Sequence, residues 1–414
     1  VSVALPTFAV EVAFATGANA AAWALGSTAF PATLGEATVW VWTDVTADVR
    51  AITVTRGKSR ELDQYQAGRC AVTLDNRSRD YDPLNLSGPY VSGGATQVKP
   101  GRRLRVRATH QSVTYDLFMG VIRDWSIEYT GPFDSRAIPQ ATDFITDLAR
   151  TGVNVTTTAG LTGQAIKSVL DDAGVSAYTL DDGVETLQAM TFTADALAAI
   201  HTLERSDQGH FYVENDGTAT FIERTGPIVL TRSNTSQGTF GAGNLSYQGP
   251  EDRMRYEADV LINDARFTRQ GGTEQTYTDE TSVSDYGKRT QTYGGLANAT
   301  DAAALYLATG YVGKWAEPLL RVRQVTFHAQ YHADTMTQAL ARRILDRITV
   351  NFTPPGGGSP ISQAAHIIGI THQITPQQGM VTAFVLTNVG GLGWILGVGE
   401  LGDAAGTTAT VLAF

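Results

Sequence analysis

The tightest constraint on this chain is a strict alternation at residues 103–109, Arg-Leu-Arg-Val-Arg-Ala-Thr. Successive side chains of an extended strand leave on opposite faces, so Leu104, Val106 and Ala108 point one way and Arg103, Arg105 and Arg107 the other. Period two marks a half-buried strand. Residues 69–74 repeat it, with Cys70, Val72 and Leu74 opposite Arg69, Ala71 and Thr73. Short β-rich runs at 39–42 and 52–55 and a longer one at 117–129 complete a strand-dominated first region. Gly120 inside the long run marks a bulge or bend. A barrel or sandwich is the natural packing for such strands. Residues 76–100 have no apolar period; their Asn, Asp, Ser, Gly and Pro mark an irregular excursion of the length that functional or interface loops have.

The period then changes. A helix is predicted over 162–173, with Ile166, Val169 and Leu170 on one face and Gly174 as the stop, and a second from Thr193, with Leu197, Ile200 and Leu203, closed by Gly209. A hairpin follows at 211–213 and 220–222, turning at Asn215-Asp216-Gly217. Beyond it come a strand at 259–267, a polar loop at 270–285 and an Ala-rich helix from Asp301 to about Trp315, ended by Pro318. Strands return at 321–330, 348–352, 366–375 and 380–388, with a helix at 336–346 among them. The tail from Gly390 is Gly-rich and apolar, and an end of that kind docks on its own fold or on a neighbour.

Met119-Gly120-Val121-Ile122 with Trp125 and Ile127 echoes Ile368-Gly369-Ile370 with Ile374, each between two strands. The expected fold class is therefore mainly β with α+β insertions, two tube-like β-barrels flanking smaller α+β domains. The boundaries are 1–147 for the first barrel, 148–226 for a small α+β domain, 227–320 for a second insert carrying the Ala-rich helix, 321–390 for the second barrel and 391–414 for the tail. Two barrels per chain would let three chains build a ring of near-sixfold outline.

Composition narrows the function. The 414 residues correspond to about three domains at ~150 residues each. With 43% hydrophobic and 17% charged residues, general disorder is excluded. A net charge of −10 disfavours a non-specific binder of nucleic acid or anionic membrane. The single cysteine, Cys70, excludes an internal disulfide and a Cys-based zinc site. No apolar run is long enough for a membrane helix, and no basic residue precedes Arg50, as a signal peptide would require, so a chain made in a cytoplasm is expected.

Motifs for chemistry fail one by one. Gly57-Lys58-Ser59 ends like a phosphate loop, but position 52 is Ile where the first glycine belongs, so a turn is expected. Gly397, Gly399 and Gly402 match a dinucleotide fingerprint by spacing alone, with no βαβ unit to hold it. His328 and His332 are four apart but start on a strand, and no HExxH or GxSxG occurs. Asp75, Asp80, Asp82 and Asn85 lack the spacing of a calcium loop and read as caps of their own turns. No catalytic, cofactor-binding or metal-ligating residue is expected, and no cofactor. The arginine face is a solvated strand face, a subunit contact, since guanidinium forks suit carboxylates across an interface, or third a DNA contact, which the acidic total disfavours. The candidate interface residues are Arg103, Arg105 and Arg107, with Arg321 and Arg323 in the same role in the second barrel, and Trp394, Leu396 and Phe414 on the tail.

The blocks VTRGKSRELDQYQAG at 54–68, AVTLDNR at 71–77 and YDPLN at 81–85 resemble minor tail proteins of long-tailed phages that infect actinobacteria. The pattern continues in Pro89-Tyr90, KPGRRLRVR at 99–107 and YDLFMG at 115–120, then SDYGKR at 284–289 and the closing GWILG, ELG and TVL at 393–412. The resemblance implies a tail-tip or baseplate hub, located at the tail tip of the virion, that forms a trimeric ring closing the tail tube. It implies a structural protein rather than an enzyme. Implied partners are other copies of itself, the distal tail ring protein, the tape-measure protein and receptor-binding or other tip components, with DNA only in transit and no membrane insertion. The alternatives are a hexameric distal tail ring protein and a cell-wall-binding or cell-wall-degrading tail component.

Overall fold

A computed structural model describes residues 5–16, 40–131, 133–241, 244–247, 254–256, 258, 260–318, 321–354, 356, 359, 361–376 and 378–389. The tail, with Trp394, Leu396, Phe414 and the glycine fingerprint, lies outside the described residues. A 12-stranded sheet dominates what is described. Its strands are β1 (Thr7–Thr16), β2 (Trp40–Asp44), β3 (Val49–Gly57), β4 (Gln66–Asp75), β5 (Arg103–His110), β6 (Val113–Gly131), β7 (Asp134–Thr142), β8 (Thr239–Gly241), β9 (Gln324–His328), β10 (Arg347–Phe352), β11 (Ile361–Thr375) and β12 (Gly379–Asn388). They run in the order β8-β10-β11-β3-β4-β7-β6-β5-β1-β2, and β12 pairs with both β11 and β9.

The alternating stretches behave as period two demands. Leu104, Val106 and Ala108 are fully buried, as are Cys70, Val72 and Leu74 on β4. Their core holds both ends of the chain: Val10, Ile52, Val72 and Leu104 share one cluster with Phe327, Ile348, Ile370 and Phe384.

Among the described residues two separate tube-like barrels do not close. β3 and β11 pair antiparallel from Ile52↔Ile374 to Gly57↔Gly369, joining both sets of strands into one sheet, and no barrel closes among the described residues. The cause is local composition. Residues 365–370 of β11 are buried without interruption, and a strand covered on both faces belongs inside a sheet.

The internal echo nevertheless has a structural counterpart. β5-β6-β7 and β10-β11-β12 are antiparallel meanders, each with a long middle strand. β6 pairs with β5 up to Val121 and with β7 from Val121 onward; β11 pairs with β10 up to His366 and with β3 from Gly369. Gly120 and Gly369 sit at these exchanges, where a Cβ would collide with the carbonyl oxygens of Thr142 and Lys58 respectively.

Four helices of the inserts and the C-terminal strand region matter here: α1 (Thr162–Asp172), α2 (Ala196–Asp207), α3 (Asp301–Trp315) and α4 (Ala333–Ala341). The first two pack Ile166, Val169, Leu170, Ile200 and Leu203 on Phe211 and Phe221 of the hairpin, which turns at Gly217 with φ +88°. Asp195 caps α2, accepting from the Ala198 N–H at 2.8 Å. The left-handed residue closing α2 is Gln208, φ 56°, rather than Gly209, which is a glycine because a Cβ would strike the Phe221 ring. The stretch 270–285 is not all loop: it holds a strand, Gln275–Thr278, and a helix, Glu280–Tyr286, capped by Asp279. Both are too short to show a period. α4 stops at Ala341, short of the expected 346; Arg342 is extended, and Asp346 folds the segment into a turn by accepting from the Arg343 N–H. The acids of 75–85 cap turns as read, with Asp75 accepting from the Arg77 N–H and Asp82 from the Leu84 N–H.

Asp143 ties β4 to the end of β7, accepting from the N–H groups of Gly68 at 2.6 Å and Ile145 at 3.0 Å. Burial raises its pKa to about 7 against the pull of those two donors. The folded chain thus holds the proton more tightly than the unfolded chain, whose carboxyl titrates near ~4. That contribution is fully present below pH ~4 and lost as pH rises through about 7. Urea midpoints measured from pH 4.5 to 8 should fall less steeply for Asp143→Asn than for wild type; parallel curves would contradict this.

Candidate functional site

The arginine face is occupied from within. Glu11 of β1 stands directly opposite Arg105 of β5. Its two oxygens accept from Arg105 Nε at 2.7 Å and Nη2 at 2.9 Å, and Oε2 also accepts from Arg107 Nη2 at 2.8 Å. The Arg103 and Arg105 guanidiniums lie 4.4 and 4.2 Å from the ring centres of Trp40 and Trp42 on β2. Burial lowers the Arg103 pKa to about 10. The side chains of Arg105 and Arg107 remain 25% and 33% exposed. A Glu–Arg–Trp layer therefore covers this end of the sheet, where β2 is the last strand among the described residues and Val41 is exposed. Sequence reasoning found the arginines and missed Glu11, Trp40 and Trp42. The two tryptophans, spaced i and i+2, share a strand face, but nothing local says which strand that face meets.

Arg321 turns inward. Its guanidinium pairs with Glu61 at 2.9 Å, with only 5% and 4% of the two side chains exposed, so in the single chain it is a core ion pair and presents no surface to a neighbour. Arg323 lies half-buried between the short strand Arg321–Val322 and β9, and its carbonyl accepts from the Leu386 N–H at 2.8 Å.

A cleft of about 780 Å³ opens beside α3. Its walls are the loop after β3, the C-terminal end of α2 and one face of α3. Leu305, Tyr306, Tyr311 and Trp315 of α3 give it an apolar side, and its charges are mixed, Lys58, Arg205, Arg224 and Lys314 standing with Glu61, Asp63 and Glu204. Lys58 Nζ sits 4.3 Å from the Tyr65 ring centre and Lys314 Nζ 4.8 Å from that of Trp315. Neither ammonium has an ion-pair partner among the described residues. Burial lowers both pKa values, that of Lys314 to about 8.

Beneath them, Glu204 is buried; Oε1 accepts from the Phe211 N–H at 3.1 Å and Oε2 has no partner. Burial raises this carboxyl to about 7, opposed chiefly by Lys58. His210 Nδ1 and Gln64 Nε2 are likewise buried without partners. Burial, then Lys58 and Lys314, hold His210 well below the usual imidazole range. An apolar wall beside charges of both signs and buried polar atoms without partners has the mixed lining of a binding cleft, and its charge selects neither sign of ligand. Sequence reasoning treated Lys58 as part of a turn and passed over Lys314. One signal was available: after Asp301, Lys314 is the sole charged residue of α3.

No protein-family model and no curated protein matches the sequence. Solved structures do share its fold. A tail protein from Neisseria meningitidis MC58 is 13% identical with a TM-score of 0.58, covering 92% of this chain and 97% of its own. The 43 kDa tail protein of prophage MuSo2 from Shewanella oneidensis is 11% identical with a TM-score of 0.57, covering 93% of this chain and 98% of its own. Each likeness runs over more than nine tenths of both chains, so it is to the whole fold and not to one part of it.

Proposed function

We propose that this chain is a structural protein of a phage tail, and within the tail the hub at its tip. The observation that carries the reading is whole-length agreement in fold with two proteins described as tail proteins, each matched over more than nine tenths of both chains. In the proposed role three copies close a ring around the end of the tail tube. The two meanders of each copy supply six similar arcs, so that a threefold ring can meet a sixfold tube. The ring sits below the distal tail ring protein and the tape-measure protein, holds receptor-binding or other tip components, and opens to let DNA leave. A chain of net charge −10 offers passing DNA no general electrostatic hold. The Glu–Arg–Trp layer beside the edge strand β2 is the proposed seat of contacts between copies, because exposed edges and aromatic–arginine surfaces are what interfaces use.

Copy number tests the proposal. Light scattering on the purified protein, together with electron cryomicroscopy of intact particles, should find three copies in one ring at the tip. Six copies in one ring would favour the distal tail ring instead. Binding to purified peptidoglycan by a chain absent from the tail tip would favour a cell-wall-binding component.

A further inference from the structure

The charges lining the cleft beside α3 answer one another from wall to wall. Lys58, on the loop after β3, is attracted most by Glu204 on α2 and less by Asp63 and Glu61 of its own loop; Glu204 in turn is attracted most by Lys58. Lys314, on α3, is attracted by Glu61 of the loop. Such a lining leaves no charge over for an ion and favours contact between the walls themselves.

That contact is not made in the arrangement described. Lys58 has no ion pair among the described residues; its Nζ rests 4.3 Å from the Tyr65 ring centre. Glu204 Oε2 has no hydrogen bond, and neither has Gln64 Nε2 on the loop. The loop therefore holds two unmet donors and α2 an unmet acceptor, all enclosed, a cost that a closer approach removes. The walls already touch at two points. Arg205 Nη2 of α2 donates to Gln64 Oε1 at 3.1 Å, and Gln208 Nε2 donates to the Leu307 carbonyl of α3 at 3.0 Å. Between them lies the cleft of about 780 Å³. Apolar contact from the loop is slight, Leu62 on Trp315 and Tyr65 on Tyr212, and junctions without a large apolar interface permit relative motion.

We propose that this cleft closes on itself: the loop after β3 and the end of α2 have a second arrangement in which Lys58 and Gln64 reach Glu204. In the hub described above, such a joint lets the inserts shift while the sheet stays whole. Closure itself does not depend on that reading.

Carbodiimide coupling tests closure on the wild-type chain, because it joins an amine to a carboxylate only where the two meet. The exposed pair Lys167–Asp171, at 2.5 Å, is the internal reference. Peptide mapping should find Lys58 joined to Glu204 with a yield within tenfold of the reference. Lys58 joined only to Asp63 or Glu61 overturns the proposal. Should the reagent fail to enter and Lys58 couple to nothing, spin labels decide. Ser59→Cys on the loop and Ala198→Cys on α2, both at exposed positions, supply the reactive thiols, since Cys70 is buried. Pulsed dipolar spectroscopy should give two distances, and Glu204→Gln and Lys58→Met should each abolish the shorter. A single distance in the labelled chain, or two that survive in whichever of these variants folds, overturns the proposal.

Discussion

Gly369→Val will weaken both ends of the chain at once, by about 3 kcal/mol or more, the upper part of the range for overfilling a packed interior. Gly369 faces Gly57 in the register between β11 and β3. A side chain on Gly369 would run into the Lys58 carbonyl and into Val385, and one on Gly57 would run into the Ile368 carbonyl. Gly57 is further constrained by φ +92°, which L-residues with side chains rarely adopt. Only two glycines allow the backbones to approach this closely, and that approach is the seam between N-terminal and C-terminal strands. Hydrogen exchange reads the consequence. Amides of 103–131 and of 361–388 should lose protection together in the variant, because they share one sheet and one core. Protection kept at 103–131 and lost only at 361–388 would mean that the two ends fold as separate units.

The same seam shows what local pattern can reveal. The alternations at 69–74 and 103–109, the stop at Gly174, the Asn215-Asp216-Gly217 turn and the span of α3 were all legible, because each follows from residues within a few positions of one another. The echo around Gly120 and Gly369 was legible too, yet its meaning was not. A glycine inside a strand announces that a backbone comes close without naming which backbone, and Gly57 lies more than 300 positions before Gly369. Periodicity reports which face of a strand is covered and is silent about the cover. That is why one sheet was read as two barrels, and why the arginines of β5 were seen without Glu11. The cleft was invisible for the same reason: it is assembled from the loop after β3, the end of α2 and one face of α3, and no one of these is unusual alone.

Arg321 carries the second large effect. Arg321→Met should cost about 3–5 kcal/mol, the range for removing one partner from a buried ion pair, because it strands the Glu61 carboxylate. Glu61 is almost wholly enclosed, and neither of its oxygens has a further hydrogen bond to fall back on. Removing both charges is a different experiment. In Arg321→Met/Glu61→Leu no ion remains to be solvated, and apolar side chains of similar volume beside Trp315 should bring stability to within about 1–2 kcal/mol of wild type. Urea denaturation of the wild type, both single variants and the double variant forms the cycle. The largest loss belongs to the single variants and recovery to the double. A double variant as unstable as the sum of the singles would show that the two side chains act independently and that the pair is not what holds the loop after β3 to the start of the C-terminal strands. The fork of Arg105 on Glu11 gives the contrast: Glu11 keeps Arg107 at 2.8 Å and is partly open to water, so Arg105→Met should lose well under half as much.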